Sequence, residues 1–249
     1  MDDIENNNIM LSIINNLSKN LSIPVTCKIR LPLFDDSKGV NIAKQLENAG
    51  ASLLCIHGRT RLENKNKCGP SDWDAIKNIK SNVNIPVLAN GSMENIKDIQ
   101  NCIEYTNVEG VALGESLLEF PTLLSNNNCA YNDNNERKYQ QQIDVAMEYL
   151  ELVELYYTDH WRLHLYKILH AHFSILNSTN IGENNKGNQL RTNLSKCKTI
   201  NDGKEFLNEL TILMNNYEYG DTTIKKEMSY YYRYRKNELN VIRERNSIL

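Results

Sequence analysis

Apolar positions in the first half of the chain alternate between two rhythms. Residues 9–20 (IMLSIINNLSKN) space them as a helix does. Ile23 to Leu31 follows as a buried strand introduced by Pro24. Helical spacing returns over 37–48 through Val40, Ile42, Ala43 and Leu46, with Asn48-Ala49-Gly50 as its stop signal. Ala51 to His57 is an almost wholly apolar strand. Residues 71–79 read as a helix, with Ser71 as N-cap and Asp74 three residues later in the manner of a capping box. A strand at 85–89, a helix at 93–105 and a strand at 109–113 complete the series. Wholly apolar strands in strand–helix alternation predict parallel β/α units covered on both faces. Four such strands cannot close a barrel alone but make half of an eight-stranded one. An open four-stranded sheet is the alternative, and its apolar edges would be an aggregation hazard. The expected fold is therefore α/β: the C-terminal half of a TIM (β/α)8 barrel. The pattern begins like the second half of a fold whose first half is absent.

The rhythm changes after residue 125. Residues 126–136 (NNNCAYNDNNE) read as a polar linker. Residues 137–157 repeat apolar groups at helical spacing (Ile143, Ala146, Met147, Leu150, Val153). Further helices are expected at 159–176 and 203–216, with a low-complexity loop over 177–189. The resulting division is a partial barrel at 1–125, the linker, a small all-α helical domain at 137–216, and a tail at 217–249 that mixes six tyrosines with a basic cluster.

Charge sharpens this picture locally. The net charge of −3 makes no global case for nucleic-acid binding. Residues 224–249, however, hold seven Lys/Arg against three Asp/Glu, so this stretch is +4 and the remainder −7. A basic tail on an acidic body can steer a chain toward RNA. The content of 41% hydrophobic and 24% charged residues suits a soluble protein with a packed core. Six cysteines (27, 55, 68, 102, 129, 197) form no CxxC and no metal-ligand spacing, which fits a reduced intracellular protein. No apolar run approaches the length of a membrane span, so no membrane partner is expected. About one residue in seven is asparagine, which reads as compositional bias that swells loops.

The candidate chemistry gathers at the strand ends. VTCKIR and IHGRTR each close an apolar strand with basic groups at every second position. Lys28 and Arg30 therefore share one face, as do His57, Arg59 and Arg61 if that strand continues. Cys27 alternates with Lys28 and is expected to face away. Neighbouring strands that end in inward-pointing cations suggest an anionic ligand such as a nucleotide or RNA phosphate. The next two strands end in Asn90-Gly91 and Gly114-Glu115. Active sites of β/α barrels lie at strand C-terminal ends, and glycine there lets backbone N–H groups approach phosphate oxygens. His160 and His164 stand i,i+4 on a helix, yet no third ligand accompanies them, so no metal site is expected. Arg162, His164, Lys167 and His170 read instead as a polar helix face. Trp73 is expected to pack its helix on the sheet.

The segments PVTCKIRL, AGASLLCIHGRTR, GPSDWDAIKNIK, IPVLANGSM and EGVALGESLLEFPTLL together resemble the tRNA-dihydrouridine synthases, in particular their eukaryotic type-1 branch. The resemblance is continuous over about residues 1–125 and looser over 137–216. It implies an FMN barrel, with NADPH or NADH as reductant, that reduces the C5–C6 bond of uridine in the tRNA D-loop at positions 16 and 17. It further implies that Lys28 and His57 contact the flavin. Backbone groups of Asn90, Gly91, Ser92, Gly114 and Glu115 would hold its phosphate, and Arg30, Arg59 and Arg61 would face the RNA. Many family members have Gly-Arg where this chain has Gly114-Glu115. The proton-donating cysteine of the family sits in an Asn-Cys-Pro loop that this chain lacks, so no catalytic residue is expected within it and the donor is expected upstream. The expected setting is a monomer acting on tRNA in the cytoplasm, with the nucleus as the alternative. Two other readings stay open: a non-catalytic RNA-binding remnant, and another FMN-barrel oxidoreductase of the dihydroorotate dehydrogenase type.

Overall fold

The structure is a computed structural model that describes residues 4–33, 36–63, 69–125, 137–178, 185–215 and 223–224. The chain forms two compact units, divided after Leu113. The first contains α1 (Ile4–Asn20), β1 (Thr26–Leu31), α2 (Asp36–Asn48), β2 (Leu53–Thr60), α3 (Trp73–Lys80), β3 (Val87–Asn90), α4 (Ile96–Thr106) and β4 (Gly110–Ala112). Its four strands are parallel and lie in chain order, β1-β2-β3-β4. Parallel neighbours need a crossover, and α2, α3 and α4 supply the three.

Helices bank against one face of this sheet. α2 packs on β1, α3 on β2 and β3, and α4 on β4, with α2, α3 and α4 side by side. Cys27, Ile29, Leu54, Ile56, Val87 and Ala89 point into that layer and join Ala43, Leu46, Ile76, Ile79 and Cys102 in one core. Trp73 packs against the same core, as the sequence suggests. On the opposite face Thr26 and Lys28 are exposed, whereas Cys55 and Arg59 are buried.

Three boundaries also shift. The β1 ladder starts at Thr26 rather than Ile23, because Pro24 has no N–H to contribute. The N-cap of α3 is Asp72, not Ser71; its carboxylate accepts from the Ala75 N–H at 2.8 Å. Ser71 is engaged elsewhere, as described below. α4 begins at Ile96, capped by Asn95.

The second unit is helical: α5 (Glu115–Glu119), α6 (Tyr139–Leu155), α7 (Trp161–Ile168), α8 (His170–Ser178), α9 (Lys186–Lys196) and α10 (Ile200–Asn215), plus a two-residue antiparallel pair, β5 (Arg137–Lys138) with β6 (Thr223–Ile224). Ile143, Leu150, Trp161, Leu165, Phe173, Leu194, Phe206 and Leu210 meet in its core. The single helix expected over 159–176 is two helices broken at Leu169. Every residue from Ile168 to Phe173 is buried, and one straight amphipathic helix cannot bury six residues in succession. α9 lies partly in the stretch expected to be a loop. Its buried residues are Gly187, Leu190 and Leu194, and two apolar side chains are too few for a clear helical period. His170 is buried rather than part of a polar face; its ring nitrogens meet Ser174 Oγ at 3.2 Å and Arg191 Nη2 at 3.3 Å. The linker 126–136 and all but two residues of the tail 217–249 lie outside the described residues. No described helix is long and apolar enough to cross a membrane.

Candidate functional site

Because all four strands are parallel, their C-terminal ends share one edge of the sheet. The register aligns Arg30 with His57, His57 with Asn90, and Asn90 with Ala112. Aligned residues of a parallel pair point to the same face, and so do residues two apart. Lys28, Arg30, His57, Arg59 and Asn90 therefore all project from the face opposite the helices. Lys28 reaches across β2 and donates to Asn90 Oδ1 at 3.1 Å. The Asn90 amide in turn donates through Nδ2 to the Ala112 carbonyl at 2.6 Å. An ammonium can only donate and a carbonyl can only accept, so the amide orientation is fixed at both ends.

Arg59 joins the loops that follow β2 and β3. It is 4% exposed. Its Nε donates to the Gly69 carbonyl at 2.7 Å, Nη2 to Ser92 Oγ at 2.9 Å, and Nη1 lies 3.3 Å from His57 Nε2. Ser92 Oγ also accepts from the Ser71 backbone N–H at 2.7 Å. With two bonds accepted, the hydroxyl keeps its proton to donate. Ser71 Oγ completes the tie by donating to the Asn90 carbonyl at 3.3 Å. It fits only because two glycines flank it: a Cβ on Gly58 would come within 2.3 Å of it, and one on Gly91 within 2.9 Å. Gly91 and Ser92 both take positive φ, +108° and +59°. Gly91 does so freely, whereas Ser92 is held there by its two side-chain bonds.

His57 is kept neutral. Burial, reinforced by Arg30, Arg59 and Lys28, pushes its imidazole down to about 3. A guanidinium has no acceptor, so the contact with Arg59 requires an unprotonated Nε2 and places the ring proton on Nδ1. The site is thus a set of donors, Lys28 Nζ, His57 Nδ1–H and Ser92 O–H, in a field of fixed positive charge. It suits an electron-rich or anionic ligand.

The other expected residues are placed as follows. Arg30 donates through Nη1 to the carbonyls of Thr60 and Glu63, at 2.9 and 3.3 Å. β2 ends at Thr60, and Arg61 is exposed in the turn beyond it. Gly114 and Glu115 open the second unit, as the N-cap and first residue of α5. Cys27 faces the helix layer, as expected. Cys55 stands level with Lys28 on the site face, buried, and burial pushes its thiol up while Lys28 pulls it back. No group of three or more His, Cys, Asp or Glu placed to hold a metal occurs among the described residues. His164 instead pairs through Nδ1 with the Tyr149 hydroxyl. Sequence reasoning missed Ser71. Its only signal was its position in Gly69-Pro70-Ser71, beside a helix start that claimed it as a cap.

The sequence model of the family described as "Dihydrouridine synthase (Dus)" matches residues 4–216. A mouse (Mus musculus) protein named tRNA-dihydrouridine(16/17) synthase NAD(P)(+)-like is 35% identical over 183 residues, 72% of this chain and 34% of its own length. The tRNA-dihydrouridine(16/17) synthase of Schizosaccharomyces pombe is 40% identical over 121 residues, 48% of this chain and 30% of the relative. A probable tRNA-dihydrouridine synthase of Rickettsia bellii is 32% identical over 143 residues, 56% of this chain and 43% of the relative. The chain spans about a third of the length of the eukaryotic relatives it matches.

Proposed function

We propose, for a chain that belongs to the dihydrouridine synthase family, that residues 1–249 are part of an FMN-dependent, NAD(P)H-driven tRNA-dihydrouridine synthase acting at uridines 16 and 17 of the D-loop. The observation that carries this reading is the strand-end row of Lys28, His57 and Asn90 with the Ser92 turn beside it. Its members offer donors and positive charge and no carboxylate, which suits a flavin ring and its phosphate. The mouse and fission-yeast relatives carry that activity in their names.

In this reading the first unit is half of a (β/α)8 barrel, and the helical unit contributes to tRNA binding. Lys28 would lie at the flavin ring, where its cation would offset negative charge on the bound cofactor. His57 presents Nδ1–H to the ring or the ribityl chain. Asn90, Gly91 and Ser92 hold the phosphate. FMN bound there would supply the hydride to uracil C6 after reduction by NAD(P)H. Arg30, which uses only Nη1 on its two carbonyls, and Arg61 serve the RNA side.

The test is removal of the gene in the source organism, followed by mass spectrometry of its tRNA. Dihydrouridine at positions 16 and 17 should disappear and return on complementation. Retention at both positions overturns the proposal.

A further inference from the structure

We propose that Arg59 is a positioning residue: its buried guanidinium fixes His57 as the Nδ1–H tautomer and clamps Ser92, so that one cation sets two of the donors presented at the strand ends. This replaces the expectation that Arg59 itself meets RNA. Three observations carry it. Arg59 is 4% exposed, so little of it can meet a macromolecule. Its three bonds run to three separate stretches of chain: Gly69 after β2, Ser92 after β3, and His57 within β2. Among the described residues, the His57 ring is also gripped along one edge. A Cβ on Gly91 would lie 2.9 Å from Cδ2 and 3.1 Å from Nε2, so the Cδ2–Nε2 edge faces protein. On the opposite edge, Nδ1 has no hydrogen-bond partner among the described residues and can serve a ligand. Turning the ring over would set Cε1 against the guanidinium and forfeit the contact.

The consequence concerns chemistry rather than stability alone. A free neutral imidazole exchanges its proton between nitrogens, and a ligand acceptor would then meet N–H in only part of the population. Arg59 removes that ambiguity because it can only donate. It does the same for Ser92. By occupying one lone pair while the Ser71 N–H occupies the other, it turns the hydroxyl proton outward. Lysine could keep the charge, but its single nitrogen could not bridge His57, Ser92 and the Gly69 carbonyl together.

Only the identity of the ligand rests on the flavin reading; the tautomer does not. The experiment is long-range 15N–1H correlation of the histidine rings in the full 249-residue chain at neutral pH, with His57 assigned from the His57→Gln spectrum. The wild-type chain should show His57 with a protonated Nδ1 and a bare Nε2. In Arg59→Lys, His57 should shift toward a mixture of tautomers. FMN affinity, read by flavin fluorescence quenching, should fall roughly tenfold, the worth of about one net hydrogen bond. An Nε2–H tautomer or an imidazolium in the wild-type chain overturns the proposal, as does an unchanged His57 spectrum in folded Arg59→Lys. If Arg59→Lys fails to fold, the wild-type spectrum decides alone. An Nδ1–H tautomer with no FMN quenching by the wild-type chain would sustain the positioning role and count against the flavin reading.

Discussion

The two faces of the β1–β4 sheet are built on opposite terms. The face toward α2, α3 and α4 is closed by Cys27, Ile29, Leu54, Ile56, Val87 and Ala89, all 8% exposed or less. The other carries Lys28, Arg30, His57, Arg59 and Asn90 on the same three strands, one residue out of phase. Burial on the first face supplies the free energy that lets the second hold cations close together, since clustered positive charge does nothing to stabilise a fold. The strands have to be this apolar on one side because they are this polar on the other.

The largest effect should come from the closed face. Ile56 is fully buried between β1 and β3. Ile56→Ala should cost about 2–5 kcal/mol through lost transfer energy and the cavity left behind. Urea unfolding followed at the β2 amides by NMR measures it. A cost below about 1 kcal/mol would mean that the helix layer is not what stabilises the sheet.

Next in size is the hinge between the faces. Gly91→Ala would place a methyl group 2.9 Å from His57 Cδ2 and Ser71 Oγ, on a backbone at φ +108°. Strain of this kind costs about 1–3 kcal/mol. It should also dislodge His57, so the His57 ring signals should move in Gly91→Ala and stay put in Ile56→Val. Equal movement in both variants would erase the distinction between hinge and core.

The open face should further betray itself through pH. His57 has a folded pKa near 3, set first by burial and then by Arg30, Arg59 and Lys28; unfolded histidine titrates near 6.5. Between these values the unfolded chain binds a proton that the folded chain refuses. Stability therefore rises with pH across that window and is flat, as far as His57 is concerned, above it. The slope is at most one proton, about 1.4 kcal/mol per pH unit. His57→Gln should flatten the pH 4–6 part of the stability curve. An identical curve in the variant would show that the ring is not held neutral by its surroundings.

Much of the closed face could be read from sequence, because hydrophobic spacing is a local signal. The four strands, α2 and the turn of Cys27 toward the helix layer all follow from it. The ties of the open face could not be read, because they join loops far apart in the chain. Arg59 looks like any arginine at a strand end until Ser92, 33 residues on, accepts from it. Ser71 has the composition of a helix cap, but Ser92 claims its N–H and leaves the cap to Asp72. Local propensity ranks candidates, and non-local partners decide between them. Likewise the run Ile168–Phe173 gives no hint of a break until both helices are seen to need the same core.

The smallest effect on stability, and the sharpest contrast with Ile56, belongs to Lys28. Its side chain is exposed on the site face and its one hydrogen bond goes to Asn90 Oδ1. Substitutions at exposed positions usually move stability by no more than about 0.5 kcal/mol. Lys28→Met keeps most of the stem and removes the charge. The fold should therefore survive unchanged, and relief of like charge around His57 should let its pKa rise. If the row is a ligand wall, FMN affinity should drop in this variant even though stability does not, whereas Ile56→Val should do the reverse. A Lys28→Met chain that loses stability as Ile56→Ala does would place Lys28 among the residues that hold the sheet together, and the division of labour between the two faces would fail at its most exposed point.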